Sequence, residues 1–252
     1  MSTDDRLQRE EDFWGHHVPT LDESLAQVRQ GPDPNTAAML EAVAPLAGTR
    51  VLDFACGAGI TTAWLAQQGA EVVGLDLSGA ALARAREVLD ALGLEAALVQ
   101  TTLQESDQLG SFDAIVGRYA LHHTDVATVG PPLARRLRPG GRAAFVETFA
   151  TNPVLAFARR RLVDRFGIPR LGTLDERPLD DGDVAALRLA FGSARVTVAE
   201  MCFLRLFDRQ VLRFRYPTVS GLLGRVDDAL NRVPRSERLS YHQVVVLRAA
   251  DA

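Results

Sequence analysis

A short, largely apolar segment that runs straight into a glycine-rich turn and then a helix is the feature that most constrains the fold of this chain. Arg50–Phe54 is predicted as a buried strand, and it ends in the turn Ala55-Cys56-Gly57-Ala58-Gly59. A helix is predicted over Ile60–Gln68, closed by Gly69. A strand that leads through such a turn into a helix is the first half of a strand–helix–strand unit, which indicates a parallel sheet.

The alternation of strand and helix continues along the chain. Further strands are predicted, in chain order, at Glu71–Asp76, Ala96–Thr101, Phe112–Arg118, Arg142–Glu147, Arg195–Glu200 and Tyr241–Arg248. Helices are predicted after the N-cap Ser78 and over Val126–Leu137, Pro153–Phe166 and Asp180–Phe191. We therefore predict a single α/β domain with a doubly wound, mostly parallel seven-stranded sheet, whose last strand is antiparallel, and a helical cap.

The stretch between the last two predicted strands interleaves aromatic residues with arginines. Its aromatic residues are Phe203, Phe207, Phe214 and Tyr216. Roughly 40 residues are too many for a plain hairpin loop, so we predict helices that form part of a cap over the site. The alternative is that these aromatic side chains pack a peripheral helix onto the sheet.

Composition is that of an ordinary globular protein, but the charge is uneven. The 252 residues include 47% hydrophobic residues and no lysine, and the net charge is −4. Residues 1–150 carry 11 arginines against 20 acidic residues, whereas residues 151–252 carry 17 against 12. Two interpretations stay open: the arginines are solvated and reflect genome composition, or a C-terminal cap uses them to recognise an anionic group on a substrate.

The cysteines and the N-terminus bear on metal binding and location. Cys56 and Cys202 form neither a disulfide framework nor a metal-binding motif, so no metal site is expected. The polar N-terminus lacks the pattern of a signal peptide, and no apolar run approaches the roughly 18 residues of a membrane span. We therefore expect a cytoplasmic protein without a membrane span.

Acidic residues at two strand ends, beside the glycine turn, indicate a ligand site. Asp53 lies near the end of the first predicted strand, and Asp76 ends the second, 19 residues after Gly57. Ligands of doubly wound sheets bind at the carboxyl ends of the strands, where a carboxylate accepts hydrogen bonds from ribose hydroxyls. A nicotinamide dinucleotide is disfavoured, because its fingerprint has a glycine where Thr62 stands and because Asp53 would repel a pyrophosphate.

Four motifs follow one another over about residues 45–150. They are Asp53 through Gly59, Val72 through Ser78, Phe112 through Val116 with Leu121-His122-His123, and Leu137 through Arg142. In this order and spacing they resemble the motifs of class I S-adenosylmethionine-dependent methyltransferases, particularly the ubiquinone/menaquinone-type and natural-product branch. The resemblance implies a Rossmann-like methyltransferase fold, with a cofactor-binding core (46–150), an N-terminal helical lid (1–45) and a C-terminal half with cap insertions (151–252).

The resemblance also implies which residues bind S-adenosylmethionine and its product S-adenosylhomocysteine. These are Asp53, Ala55, Cys56, Gly57, Gly59, Asp76, Leu77, Thr102, Leu103 and Arg118. In these roles Asp53 orients the methionine ammonium through water, Asp76 holds the ribose, and Arg118 offers its backbone carbonyl to the ammonium. Two positions depart from the family pattern: Thr102 stands in the stretch where a carboxylate often contacts adenine, and Ala55 replaces the first glycine of the turn.

The implied reaction is in-line transfer of the methyl group to an oxygen, nitrogen or carbon nucleophile of a small-molecule metabolite. An oxygen or an acidic carbon needs a base, and His122 is the first candidate, with His123 and Tyr119 as weaker ones. The alternative is that His122 is a structural histidine bonded to a backbone carbonyl. Glu147 either acts as a base or binds substrate, and the alternative is a solvated strand end or a helix cap.

The segment Phe13-Trp14-Gly15-His16-His17 has two interpretations. It is a lid over the cofactor, or its two aromatic residues anchor an amphipathic helix to the sheet. A metal site at the histidine pair is disfavoured, because no third ligand is near in sequence.

Three other functions share these sequence features. An RNA methyltransferase has the same core, but the negative net charge disfavours binding to nucleic acid. A methyltransferase-like protein that binds the cofactor without transferring methyl groups is a second. Action at an anionic membrane surface, through Arg159-Arg160-Arg161 beside Leu155 and Phe157, is a third.

Overall fold

The computed structural model describes residues 17–103, 105–161 and 177–249. Seven strands form one sheet: β1 Arg50–Phe54, β2 Glu71–Asp76, β3 Ala97–Gln100, β4 Phe112–Arg118, β5 Leu137–Thr148, β6 Gly192–Thr197 and β7 His242–Ala249. The order across the sheet is β3-β2-β1-β4-β5-β7-β6. Strands β1 to β5 are parallel to one another, and β7 is antiparallel to both of its neighbours. The predicted fold class and the antiparallel last strand are confirmed.

Helices flank the strands in the described part of the chain. They are α1 Leu21–Gln30, α2 Pro34–Ala42, α3 Ile60–Gln67, α4 Gly79–Leu92, α5 Val126–Arg135, α6 Pro153–Arg161, α7 Asp181–Phe191, α8 Leu204–Phe207 and α9 Pro217–Leu230, with a π-helical turn at Asp208–Leu212. Helix α4 begins where the Ser78 hydroxyl accepts from the Ala81 N–H, and it ends at Gly93 in the left-handed conformation. The predicted N-cap Ser78 is therefore confirmed.

The sheet has a hydrophobic core on each face. Leu52 and Val73 belong to one buried cluster, whereas their sequence neighbours Val51 and Val72 belong to the other. Successive side chains of a strand point to opposite faces, so continuous apolar runs need cover on both sides. This two-sided burial holds the carboxyl ends of the strands in one row, where the site lies.

Two strands differ from their predicted bounds by three residues or more, whereas β3 and β7 differ by one residue at each end. Strand β5 begins at Leu137 rather than Arg142, with an irregular pairing to β4 between Phe112 and Ala114. Strand β6 spans Gly192–Thr197 rather than Arg195–Glu200, because pairing with β7 starts as soon as α7 ends. The start of β5 and the position of β6 are both set by pairing with strands that are distant in the sequence. Local residue preferences therefore do not indicate these bounds.

The stretch between β6 and β7, called the C-terminal cap below, forms α8, the π-helical turn and α9, so its predicted helical character is confirmed, and its position over the site stays a prediction. Its backbone is tied to the start of β7, since the Tyr241 N–H donates to the Cys202 carbonyl (2.8 Å). Phe207, Phe214 and Tyr216 expose 47%, 60% and 56% of their surface. These three aromatic residues therefore do not pack a helix onto the sheet, and that alternative is wrong for them.

Several predictions fall on residues outside the described ranges. They are the segment 13–16, the end of the predicted helix beyond Arg161, and the side chains of Arg159 and Arg160. Within the described ranges, no helix combines the length and the apolar character needed to cross a membrane.

Candidate functional site

The turn after β1 brings backbone to the carboxyl edge of the sheet. Ala55, Gly57 and Gly59 all have positive φ angles of 56°, 54° and 77°. Gly59 also packs tightly, because a Cβ atom there would lie 2.7 Å from the Ala85 Cβ on α4. Ala55 takes up the left-handed conformation at some cost, since a side chain is disfavoured there.

Asp53 is a carboxylate buried beneath this turn. It exposes 1% of its surface, and the Thr62 hydroxyl donates to its Oδ2 at 2.7 Å. Burial raises the pKa of Asp53 to about 7, against the opposing effects of the Thr62 hydrogen bond and the Arg118 charge. Thr62, which replaces the dinucleotide glycine, is thus the partner that holds Asp53; the sequence did not reveal this role.

The side chain of Arg118 adds a cation that sequence reasoning missed. Its guanidinium lies over the Trp64 ring of α3, 5.5 Å from the ring centre. The Trp64 indole N–H donates in turn to the Val28 carbonyl at the end of α1 (3.1 Å). Arg118 is therefore fixed beside Asp53 by its side chain, in addition to the carbonyl role that the resemblance implies.

Asp76 ends β2 and faces the same turn. One carboxylate oxygen accepts from the Gly57 N–H (2.8 Å) and the other from the Ser78 N–H (2.9 Å). Burial raises the pKa of Asp76, and the hydrogen bonds from Ser78 and Gly57 oppose this effect. The structure thus brings Asp53, Asp76 and the glycine turn together, as predicted.

The residues expected near adenine lie beside Asp76. The Leu77 carbonyl accepts from the Gln100 amide (3.0 Å), and the Thr102 hydroxyl accepts from the Glu105 N–H (3.2 Å). The Leu103 side chain is buried in the core, so only its backbone is placed to meet a ligand. Their contact with adenine stays a prediction. Cys56 is buried in the turn between β1 and α3, and burial raises the pKa of its thiol.

His122 and Glu147 form a buried pair at the carboxyl ends of β4 and β5. His122 Nδ1 lies 2.7 Å from Glu147 Oε2. Glu147 Oε1 accepts the backbone N–H groups of Ala120 (2.8 Å) and Leu121 (2.6 Å). Glu147 is fully buried, so it does not meet a substrate directly. It holds the His122 ring, and the interpretation of His122 as a histidine bonded to a backbone carbonyl is wrong for Nδ1.

Neighbouring aromatic and histidine rings extend from His122 on both sides. His123 lies 4.1 Å away between ring centres, Tyr119 lies 6.5 Å away, and His242 of β7 lies 5.2 Å beyond Tyr119. Tyr119 follows β4 directly and has a left-handed φ of 58°, which is sparsely populated for residues other than glycine. His242 is 120 residues downstream in the chain, and no local signal marked it.

Comparison with known proteins identifies the family. Residues 51–141 match the family model described as a methyltransferase domain. A ubiquinone biosynthesis O-methyltransferase of Sodalis glossinidius is 31% identical over 169 residues, which are 59% of this chain and 67% of that protein. The chain belongs to the class I S-adenosylmethionine-dependent methyltransferases.

The names of other relatives of this chain state different substrates. A ribosomal RNA small subunit methyltransferase C of Chromohalobacter salexigens is 38% identical over 145 residues, 54% of this chain and 42% of that protein. The chain spans less than half the length of the first curated relatives it matches. The solved magnesium protoporphyrin IX methyltransferase of Synechocystis PCC 6803 shares the fold, with a TM-score of 0.56, 14% identity and 97% of each chain covered.

Metal ligands are not gathered at this site. Within residues 17–103, 105–161 and 177–249 there is no group of three His, Cys, Asp or Glu side chains that could hold a metal ion.

Proposed function

We propose that this methyltransferase transfers a methyl group from S-adenosylmethionine to a hydroxyl oxygen of a small molecule, with His122 as the base. The observation that carries this proposal is the buried His122–Glu147 pair at the carboxyl edge of the sheet. Transfer to an amine with a free lone pair needs no such base, whereas a hydroxyl must lose its proton.

The described residues fit the cofactor. A buried carboxylate with a raised pKa, Asp53, is suited to a cationic partner such as the methionine ammonium, because that charge would offset the cost of its own burial. The Gly57 position leaves open space, since a Cβ atom there would meet nothing within 4 Å. Asp76 is partly exposed at the end of β2 and has lone pairs left for ribose hydroxyls. When bound, S-adenosylmethionine supplies a methyl group already activated on sulfur.

The hydrogen bond between Glu147 and His122 determines which nitrogen of His122 acts as the base. An ionised carboxylate only accepts hydrogen bonds, so Nδ1 is the nitrogen that carries the proton. The other nitrogen, Nε2, then keeps its lone pair and takes the proton of the substrate hydroxyl. As the oxygen–methyl bond forms and the sulfur–methyl bond breaks, the resulting imidazolium is stabilised by the buried Glu147 carboxylate.

RNA methylation is the second candidate, and one feature favours it. The cap exposes several arginines beside exposed aromatic residues, which is a chemistry suited to phosphates and bases. One relative is named for ribosomal RNA. The net charge of −4 and the acidic first 150 residues oppose it, so the small molecule is preferred.

The test is methyl transfer from isotope-labelled S-adenosylmethionine into a cell extract separated into small-molecule and RNA fractions. Label in the small-molecule fraction, lost in His122→Ala but not in the matched surface variant Arg225→Gln, supports the proposal. Label confined to RNA would establish the second candidate. Binding of S-adenosylhomocysteine without label in either fraction would mean that the protein binds the cofactor without transferring methyl groups.

A further inference from the structure

We infer that an exposed face of the cap docks this protein onto an anionic lipid bilayer. The docking surface, called the apolar ridge below, consists of Phe214, Tyr216, Val219, Leu222 and Val226. This inference goes beyond the proposed function and does not depend on it, since it involves neither the methyl donor nor the acceptor. Three observations lead to it: the orientation of α9, the loop before α9, and the charge beside both.

Helix α9 turns its small and polar residues, rather than its apolar ones, toward the rest of the cap. The Asp227 carboxylate is fully buried and accepts the backbone N–H groups of residues 203–205 at 2.9 to 3.2 Å. A Cβ atom on Gly224 would lie 3.5 Å from the Arg205 guanidinium, and the Ser220 hydroxyl is buried as well. Because residues three and four apart share one helix face, Ser220, Gly224 and Asp227 form the inner face of α9.

The opposite face of α9 carries an apolar stripe that is exposed. Val219, Leu222 and Val226 follow one another at spacings of three and four, and they expose 41%, 59% and 39% of their surface. A surface helix of a globular protein ordinarily buries such a stripe in its own core. The stripe therefore indicates a binding surface, since contiguous apolar patches on a protein mark contacts with other molecules or with membranes.

The loop that leads into α9 extends this stripe with two aromatic rings. Phe214 and Tyr216 expose 60% and 56% of their surface. Arg213 and Phe214 both have left-handed φ angles, of 53° and 55°, which cost free energy in residues other than glycine. The loop is tied to the π-helical turn, because the Arg213 N–H donates to the Asp208 carbonyl (2.6 Å). A strained but anchored loop thus keeps both rings in solvent, beside the stripe.

Arginines lie beside the apolar ridge, and they make it positive. Residues 209–222 include Arg209, Arg213 and Arg215 and no aspartate or glutamate, in a chain whose net charge is −4. All three arginine side chains are exposed. Because like charges repel, this surface disfavours a second copy of itself as the partner and favours an anionic one.

Among anionic partners, a lipid bilayer matches both the aliphatic and the charged part of the surface. Acyl chains supply the apolar environment that the aliphatic stripe needs, whereas nucleic acid offers phosphates and ring stacking but no partner for aliphatic side chains. Tyrosine and arginine are suited to the boundary between acyl chains and headgroups, since each combines an apolar part with a polar end. An aliphatic stripe next to rings and arginines is the arrangement of helices that lie in the plane of a membrane interface.

Binding is measured by co-sedimentation of the full chain with vesicles of phosphatidylglycerol and phosphatidylcholine in equal amounts, or of phosphatidylcholine alone. We expect the anionic vesicles to bind at least about tenfold tighter, and their binding to weaken as the salt concentration rises. Leu222→Ser should weaken binding by about fivefold or more, because it removes an apolar contact with the bilayer. The matched control is Leu189→Ser, at a leucine of α7 that exposes 89% of its surface, and it should leave the affinity unchanged.

The electrostatic part is tested with a pair of arginine variants. Arg213→Gln combined with Arg215→Gln should weaken binding to the anionic vesicles by about tenfold or more. Arg29→Gln combined with Arg195→Gln removes the same charge at exposed positions elsewhere, and it should have little effect. Thermal unfolding of each variant checks that it is folded.

Insertion of the ridge is tested by fluorescence. Phe214→Trp should show a blue shift of tryptophan emission on anionic vesicles relative to the wild type, whereas Leu189→Trp should not. Equal affinity for both kinds of vesicle, or an equal loss in Leu222→Ser and Leu189→Ser, would overturn the inference. So would a chain that binds neither kind of vesicle. Dimerisation, or binding to single-stranded RNA or to an acidic protein, that Leu222→Ser abolishes would then assign the ridge to that partner instead.

Discussion

Cofactor binding should depend on pH through Asp53. The buried carboxyl has a pKa of about 7, raised mainly by burial, so it is largely protonated in the ligand-free protein below that pH. The methionine ammonium needs the ionised form. Binding should therefore release a proton from Asp53 in mildly acidic solution, and the affinity should rise with pH.

The size of the effect follows from the pKa. With a pKa of about 7, the ionised fraction of Asp53 rises from about 3% at about pH 5.5 to about 75% at about pH 7.5. If only this form binds, the affinity rises about 25-fold over the interval. Stability of the ligand-free protein should change in the opposite direction. A carboxyl whose pKa is raised from 3.8 to about 7 stabilises the fold below pH 3.8, and about 4 kcal/mol of this is lost as the pH rises through 7.

Calorimetric titration with S-adenosylhomocysteine, in two buffers of different ionisation enthalpy, measures both the affinity and the proton released. Asp53→Asn should bind weakly and lose most of the pH dependence, because its side chain carries no titratable proton. Asp76→Asn is the matched comparison, since burial also raises the pKa of Asp76. Urea unfolding of Asp53→Asn should show a flatter stability curve between about pH 5.5 and pH 7.5 than the wild type. An affinity of the wild type that stays constant over this interval, with no proton released, would refute the reasoning.

Three further predictions concern the turn and the base. Ala55→Gly should raise the free energy of unfolding by about 0.5–1 kcal/mol in urea titrations, because it relieves a left-handed alanine (φ 56°) but adds freedom to the unfolded chain; a loss of stability would contradict this. Gly59→Ala should lower it by more than about 2 kcal/mol, since its Cβ would lie 2.7 Å from Ala85, and an unchanged midpoint would contradict the packing. Glu147→Gln should lower kcat by about 10²–10⁴-fold while S-adenosylhomocysteine affinity stays within about twofold, because the amide no longer fixes the His122 tautomer; equal losses in both would indicate a structural role.

Much of the fold could be predicted because its first half is built from local signals. Strands β1, β2 and β4 have the predicted bounds, since each is an apolar run bounded by a turn or a cap. Strand β6 was misplaced by three residues, because its bounds depend on pairing with β7 rather than on its own residues. Partly exposed edge strands show only a weak pattern of apolar and polar residues, so the spacing of residues within the strand does not define its ends.

The candidate site likewise contains residues that the sequence could predict and residues that it could not. Asp53 and Asp76 were predictable, because the chain order of a strand, a turn and a helix brings them to one edge. The pairing of His122 with Glu147 was not, since 25 residues separate them and only the register of β4 against β5 sets their distance. His242 reaches Tyr119 only through β7, so no spacing in the sequence indicates that their rings lie 5.2 Å apart.

Strand β7 lies inside the sheet, between β5 and β6, although it is the last strand in the chain. Strands β1 and β2, which carry Asp53 and Asp76, pair across 21 residues, whereas β5 and β7 pair across 94 to 106 residues, and a smaller sequence separation favours earlier folding. The rings of Tyr241 and His242 reach their places only when β7, which follows the cap in the chain, pairs with β5 and β6. We therefore expect a nascent or partly unfolded chain to form the half that carries Asp53 and Asp76 before the half that contains β7. Ligands of the two halves should accordingly protect different cooperative units against hydrogen exchange.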